Sequence, residues 1–364
     1  MLFRLLLIFF IPTAVLADDS GFVSLLNGKD LTGWVEVNTA PSTWSFNDKG
    51  YLVCSGKPIG EIRTERMYQN FILELEWRHL KPKGNAGIFV WADDITARGQ
   101  PFHRGVEVQI LENAYGDNKG HTCHGDIFPI HGATMTPVNG RGGKRAFPTE
   151  NRSNPSPQWN HYRIKCLDGS ISLAVNGKVV TQGTHCSPSK GYLCIESEGG
   201  IVNYRNVRLK ELPDSPLDPE HIAIANRGFR CLYTGVDLSG WKPAKGWNSR
   251  DWEMHAKSGA KPLVTVEDFS GDIGFIVDLQ LTDESGTQKL VLRGKEIPIP
   301  SDHPAMEKTG KWNRIEGFLR GDKLILEING EPLSPITGIP EQGSFGLVPS
   351  GPSVWANPYI RTLK

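Results

Sequence analysis

The chain has 364 residues, more than one hydrophobic core usually organises, so two domains are expected. Lys plus Arg equals Asp plus Glu at 40 each, and this balance excludes an electrostatic case for nucleic acid or an anionic membrane surface as partner. With 40 Gly, 25 Pro and 38% hydrophobic residues, the composition is that of a turn-rich globular protein, and its 10 Trp suit both a sandwich core and a sugar-binding groove.

The N-terminus comes first. Arg4 precedes an apolar run from Leu5 to Leu16, and Val15-Leu16-Ala17 stands before Asp18-Asp19. A basic start, a short apolar stretch and small residues at the cleavage positions predict a secretory signal over residues 1–17. The run is short for a bilayer span. The mature protein is therefore expected in the periplasm or outside the cell, without stable membrane insertion. The six Cys are then free to form disulfides, but five lie in the first half and only Cys231 in the second, so the pairing stays open.

From Gly28 onward the chain repeats itself. Gly28-Lys29-Asp30-Leu31-Thr32-Gly33-Trp34 returns as Gly235-Val236-Asp237-Leu238-Ser239-Gly240-Trp241, and Trp159-Asn160 and Asn176-Gly177 return as Trp312-Asn313 and Asn329-Gly330. The early offset is 207 residues and the later one 153, so the second copy has lost roughly 54 residues from its middle. Pro213–Pro219 reads as a linker. The expected division is 18–212 for the first copy, 213–227 for the linker and 228–364 for a degenerate second copy.

Within each copy, short alternating runs replace helical periodicity. Phe71–Trp77, Gly105–Ile110, Tyr162–Lys165 and Ser170–Val175 alternate apolar and polar residues, with Asn176-Gly177 as a hairpin turn. Many short strands at even spacing predict an all-β fold of sandwich or jelly-roll type. The stretch from Asn113 to Gln158 has little strand character and reads as a long functional loop.

Residues two apart share a strand face, which groups Glu74 with Glu76, Glu107 with Gln109, and Glu196 with Glu198. Such a face can hydrogen-bond sugar hydroxyls, and paired carboxylates can act as acid and base. A solvated outer face would alternate in the same way. The copies differ selectively, however: Glu196 and Glu198 align with Val348 and Ser350, and the segment holding Glu107, Gln109 and Glu112 is missing from the second copy. In the long loop, His121, His124 and Asp126 could hold a divalent metal ion. A polar loop that happens to be rich in His would look the same.

Taken in order, Asn85–Phe89, Gly105–Ile110, Trp159-Asn160, Asn176-Gly177, Glu198-Gly199-Gly200 and Tyr204–Val207 resemble the 3-keto-disaccharide hydrolase domain family, over 20–212 well and over 228–364 weakly. Ala86 stands where that family usually has Ser, and Glu196 where Gln is common. The resemblance implies two tandem concanavalin A-like (lectin/glucanase) jelly-roll sandwiches, and the missing segment and lost paired carboxylates lead us to expect a catalytically silent second copy. It also implies a carbohydrate substrate, with cleavage of glycosides oxidised to a ketone at C3. A non-catalytic carbohydrate-binding sandwich is the alternative. Glu76, Asn85, Glu107, Gln109 and Glu198 match the family's polar pattern.

The expected site is a groove into which Glu76, Glu107, Gln109 and Glu198 point, with His124 reaching in from the long loop. Glu107 or His124 would be the base and Glu76 an orienting or acid partner, while Asn85, Trp91, Gln109, Glu112, Glu198 and Arg205 would hold the sugar. The signal reading has a direct test: N-terminal sequencing of the exported protein should begin at Asp18, and a sequence that begins at Met1 would refute it.

Overall fold

In the computed structural model, residues 20–115, 124–225 and 227–363 are described; the signal read over 1–17, His121 and Cys123 lie outside them. The class is all-β as expected. Among the described residues the single helical element is the 3₁₀ turn Pro219–His221.

Alternation dictates the layers. In the strand Phe71–His79, Phe71, Leu73, Leu75 and Trp77 are at most 2% exposed and enter the core, which sends Ile72, Glu74, Glu76 and Arg78 outward. This strand is central in a nine-stranded antiparallel sheet, between Asn160–Leu167 and Val202–Glu211. Facing it across the core is a six-stranded sheet in the order Trp34–Val37, Gly60–Thr64, Tyr192–Ser197, Gly87–Ala92, Gly105–Gln109, Ile127–Ile130. One hydrophobic cluster, from Trp34 to Leu209, joins the two sheets.

The second half repeats the plan with less. An eight-stranded sheet centred on Ile273–Leu281 faces a sheet of four strands, and a separate cluster from Tyr233 to Ile360 fills the space between. Each half is an antiparallel jelly-roll sandwich, and the shortfall falls in the sheet that carries the acidic residues of the first.

Two strand readings need correction. The stretch 113–158 holds the strands Ile127–Ile130 and Thr134–Pro137. Pro129 hides the first from a pattern search, and the structure places that strand at a sheet edge, where a missing N–H is tolerated. Segment 213–227, by composition a linker, lies along the first sandwich: Asp94 N donates to Ile224 O at 2.9 Å, and the Arg227 guanidinium pairs with Asp94 at 2.7 Å. The five described Cys all carry free thiols.

The two sandwiches meet at a polar joint. Asp278, fully buried on the outer face of the eight-stranded sheet, accepts from Arg314 Nε at 2.8 Å and Nη2 at 2.9 Å, from Asn357 Nδ2 at 2.8 Å and from Gly99 N at 2.8 Å. Arg314 Nη2 also donates to Thr96 O at 2.9 Å, and Trp252 Nε1 to Gly99 O at 3.2 Å. Gly99 has φ +67°, and an added Cβ would stand 2.1 Å from the Trp312 ring, so a side chain is excluded there twice over. Residues 96–100 of the first sandwich are thus gripped by the second.

Removing one partner of a buried ion pair leaves the other uncompensated, a loss of about 3–5 kcal/mol. Asp278→Ala should therefore lower unfolding free energy by about that amount in chemical denaturation, whereas a change below about 1 kcal/mol would show that the pair contributes little.

Candidate functional site

The six-stranded sheet uses one face for the core, so its polar residues share the other. Val106 and Val108 enter the core and turn Glu107 and Gln109 away from it; Leu193 and Ile195 do the same for Cys194 and Glu196, and Ile62 for Glu61 and Arg63. Strand pairing sets Glu196 opposite Glu61, and Gly87 opposite Gln109. Four carboxylates (Glu61, Glu107, Glu196 and Glu198) thereby gather from three strands and the residue just beyond one of them.

This face is largely closed. Glu107 is 6% exposed and Glu196 1%, whereas Glu198 is half-buried beside the exposed Gly199, so approach is from the Glu198 edge. Gly87 makes the gathering possible: a Cβ there would lie 2.9 Å from Glu196 Oε2 and 3.0 Å from Glu107 Oε1. A chain of amides serves the open end. Gln109 Nε2 donates to Asn85 Oδ1 at 2.6 Å, and Asn85 Nδ2 donates to Glu198 Oε2.

Crowded burial shifts these groups upward. Desolvation, and then the Glu198 carboxylate, raise Glu107 well above the usual carboxylate range, with Arg145 pulling the other way. Glu196 is raised well above it too, by burial and then by Glu198 and Glu107. Burial lifts Glu198 from 4.5 to about 7, against hydrogen bonds with Glu196 and Asn85 that favour its charged form. The folded chain therefore holds the Glu198 proton more tightly than the unfolded one, so this group makes folding less favourable as pH rises from 4.5 to about 7. Such a set keeps protonated and ionised carboxyls side by side near neutral pH, which is what paired acid and base chemistry needs.

The structure brings together Asn85, Glu107, Gln109 and Glu198, four of the sequence-derived candidates. His124 sits in the loop against the end of the Gly105–Gln109 strand: Gly125 N donates to Gln109 O at 3.2 Å, and His124 Nδ1 bonds Leu111 O at 3.0 Å. Burial lowers the His124 pKa and keeps the imidazole neutral. Arg145, Glu61 and His103 are absent from the sequence-derived candidates, because only tertiary packing sets a loop histidine against a strand glutamate 42 positions away.

Other candidates fall elsewhere. Glu76 and Arg205 lie on the outer face of the nine-stranded sheet, paired through two contacts of 3.0 Å, with Arg205 stacked 4.1 Å from the Trp159 ring. Their strand parity matches Glu107, but they belong to the opposite sheet, so Glu76 is not the acid of this site. Trp91 is fully buried in the core and donates from Nε1 to Gln69 O at 2.9 Å; its φ of +57° breaks the alternation that would have turned it outward. Glu112 is not free for a sugar. Its carboxylate accepts from Lys83 N at 2.8 Å, Ala114 N at 2.8 Å and Ser156 N at 3.1 Å. Despite desolvation, these amides hold Glu112 below its ordinary pKa. Of the expected metal ligands, Asp126 pairs with Arg145 at 3.0 Å and His124 with Leu111, so the described pair is engaged elsewhere.

A cleft of about 490 Å³ is lined by Glu36, Asn38, Cys231, Tyr233 and Glu267. It lies away from the gathered carboxylates and lacks a comparable set, so the site is placed by its chemistry and not by cleft size.

The family model for the 3-keto-α-glucoside-1,2-lyase-like domain matches residues 21–210, just over half of the chain. The chain belongs to this family. No curated protein matches it. Two solved structures of candidate glycosyl hydrolases from Parabacteroides distasonis ATCC 8503 are similar to it. One is 23% identical, covering 55% of this chain and 99% of its own at a TM-score of 0.41; the other is 24% identical, covering 52% and 99% at 0.39. A β-glucanase from Bacillus licheniformis is 14% identical, covering 53% of this chain and 97% of its own at 0.36. The family model spans Asn85, Glu107, Gln109 and Glu198, and with them the whole carboxylate face of the lyase-like sandwich.

Gly87→Ala probes that face directly. Its Cβ would meet Glu196 Oε2, Glu107 Oε1 and Glu107 Cγ, so both buried side chains must shift, with a stability loss of about 1–3 kcal/mol. The displaced Glu107 and Glu196 should cost the protein most of its activity on a sugar substrate. Full activity would show that the positions of these carboxylates are immaterial.

Proposed function

We propose that the lyase-like sandwich cleaves glycosides already oxidised to a ketone at C3. The ketone acidifies the C2 proton. A base removes it, the electron pair moves into the ring as an enolate, the C1–O bond breaks, and the leaving oxygen takes up a proton. Water added across the resulting double bond, hydroxyl to C1 and proton to C2, completes a net hydrolysis.

The observation that carries this reading is the gathering of Glu107, Glu196 and Glu198 around Gly87, with the Asn85–Gln109 amide chain at the open end. Glu198 is the accessible member and titrates at about 7, so near neutral pH it has an ionised population able to take the C2 proton. Glu107, which burial and the neighbouring Glu198 raise well above the usual carboxylate range, is the group cast as donor to the enolate or to the leaving oxygen. Asn85 orients Glu198 and is itself oriented by Gln109. The signal read over residues 1–17 would place this chemistry outside the cytoplasm.

Glu198→Gln keeps the shape of the side chain and removes the base, so turnover of a 3-keto disaccharide should fall about a hundred- to ten-thousand-fold. The wild-type kcat/KM should fall as pH drops below about 7, because protonated Glu198 cannot act as base. Full turnover in Glu198→Gln would refute the assignment. Sugar bound without release of product by the wild type would instead make this a binding module.

A further inference from the structure

The end of the carboxylate face away from Glu198 holds donors that the chemistry above does not use. Glu61 comes from the strand Gly60–Thr64, Cys194 from Tyr192–Ser197, and His103 from the loop that closes over this end. A carboxylate oxygen, an imidazole nitrogen and Cys194 Sγ, one from each residue, lie within 4.8 Å of one another. All three residues are 0% exposed.

The orientation of these groups is fixed. Glu61 Oε1 accepts from the backbone N of His103 at 3.0 Å and also meets His103 Nδ1, and Cys194 Sγ stands 3.9 Å from that nitrogen. Yet Glu61 Oε2 is buried with no hydrogen-bond partner in the protein, as is His103 Nε2 on the far side of the ring. A buried carboxylate oxygen without a partner is costly, and a cation held by that carboxylate would supply one. Carboxylate, imidazole and thiol together form a borderline-soft donor set, which suits Zn²⁺ and its neighbours better than Ca²⁺ or Mg²⁺.

We propose that Glu61, His103 and Cys194 bind one divalent transition-metal ion of the zinc class, tying the 93–104 loop to the six-stranded sheet. The ion brings positive charge to a face crowded with carboxylates, and its binding releases the Cys194 thiol proton to solvent. This inference does not rest on the sugar chemistry: the site would exist if the sandwich only bound carbohydrate.

The test uses the full chain, stripped with a chelator and dialysed against Zn²⁺, with metal counted by mass spectrometry and unfolding followed thermally. One zinc per chain and a raised Tm are expected, with affinity falling about tenfold or more in Cys194→Ser and in His103→Gln. His124→Gln should keep its metal, which separates this site from the long loop. Should the variants fold poorly, Co²⁺ loading of the wild type still decides, since a bound thiolate gives a near-ultraviolet charge-transfer band. The proposal is overturned if the wild type retains no zinc or shows no such band. Zinc that survives both ligand changes, or is lost in His124→Gln, overturns it as well.

Discussion

Carboxylates set side by side on a buried sheet face repel one another and resist ionisation, and the first sandwich is arranged around that repulsion. Glu107, Glu196 and Glu198 can crowd together because position 87 has no side chain. They titrate upward because they are sheltered from water and from each other's counter-charges, Arg145 excepted. Asn85 and Gln109 fix Glu198 at the one edge left partly open. A face of this kind adds little to stability. Its worth lies in holding protons at neutral pH on groups that would ordinarily have lost them.

The second sandwich shows which polar pairs belong to the fold and which to the site. Asn206 and Asn357 occupy equivalent bulges, each at φ 51°, and each donates to an acidic residue on the neighbouring central strand, Glu76 in the first copy and Asp278 in the second. A pairing present in both copies is part of the sandwich. The four-stranded sheet keeps the strand order of Gly60–Thr64, Tyr192–Ser197, Gly87–Ala92 and Gly105–Gln109, so the strand that carries Glu107 is not missing after all, but Pro298 lies across from Lys289 where Gln109 lies across from Gly87, and the Asn85–Gln109–Glu198 chain is not repeated. The duplication thus works as an internal control, and it removes Glu76 from the chemistry more firmly than distance alone would.

Much of this was legible in the sequence, and the losses have physical causes. Alternation located the strands and put Glu107 and Gln109 on one face, because a two-residue period is local. It could not say which sheet a strand joins, so Glu76 and Arg205 were grouped with residues on the far side of the molecule. Trp91 was misread because one positive φ reverses parity, and Glu112 because its partners are backbone amides, which no side-chain pattern reveals. His103 was invisible for a similar reason: a lone histidine in a turn-rich loop gains meaning only when a distant strand puts Glu61 beneath it.

The grip on residues 96–100 has a consequence for how the chain can change over evolutionary time. Gly99 and Asp278 are 179 positions apart, yet they share a hydrogen bond, and Trp312 fills the space a side chain at 99 would need. The loop they hold is continuous with the one that carries His103 over the carboxylate face. The second sandwich does not repeat the Asn85–Gln109–Glu198 chain of the first, yet it is tethered where it touches its sibling. Its tolerance to substitution is therefore uneven: broad on the four-stranded side, narrow around Asp278, Arg314 and Trp312, where a conservative-looking change would be felt in the neighbouring copy.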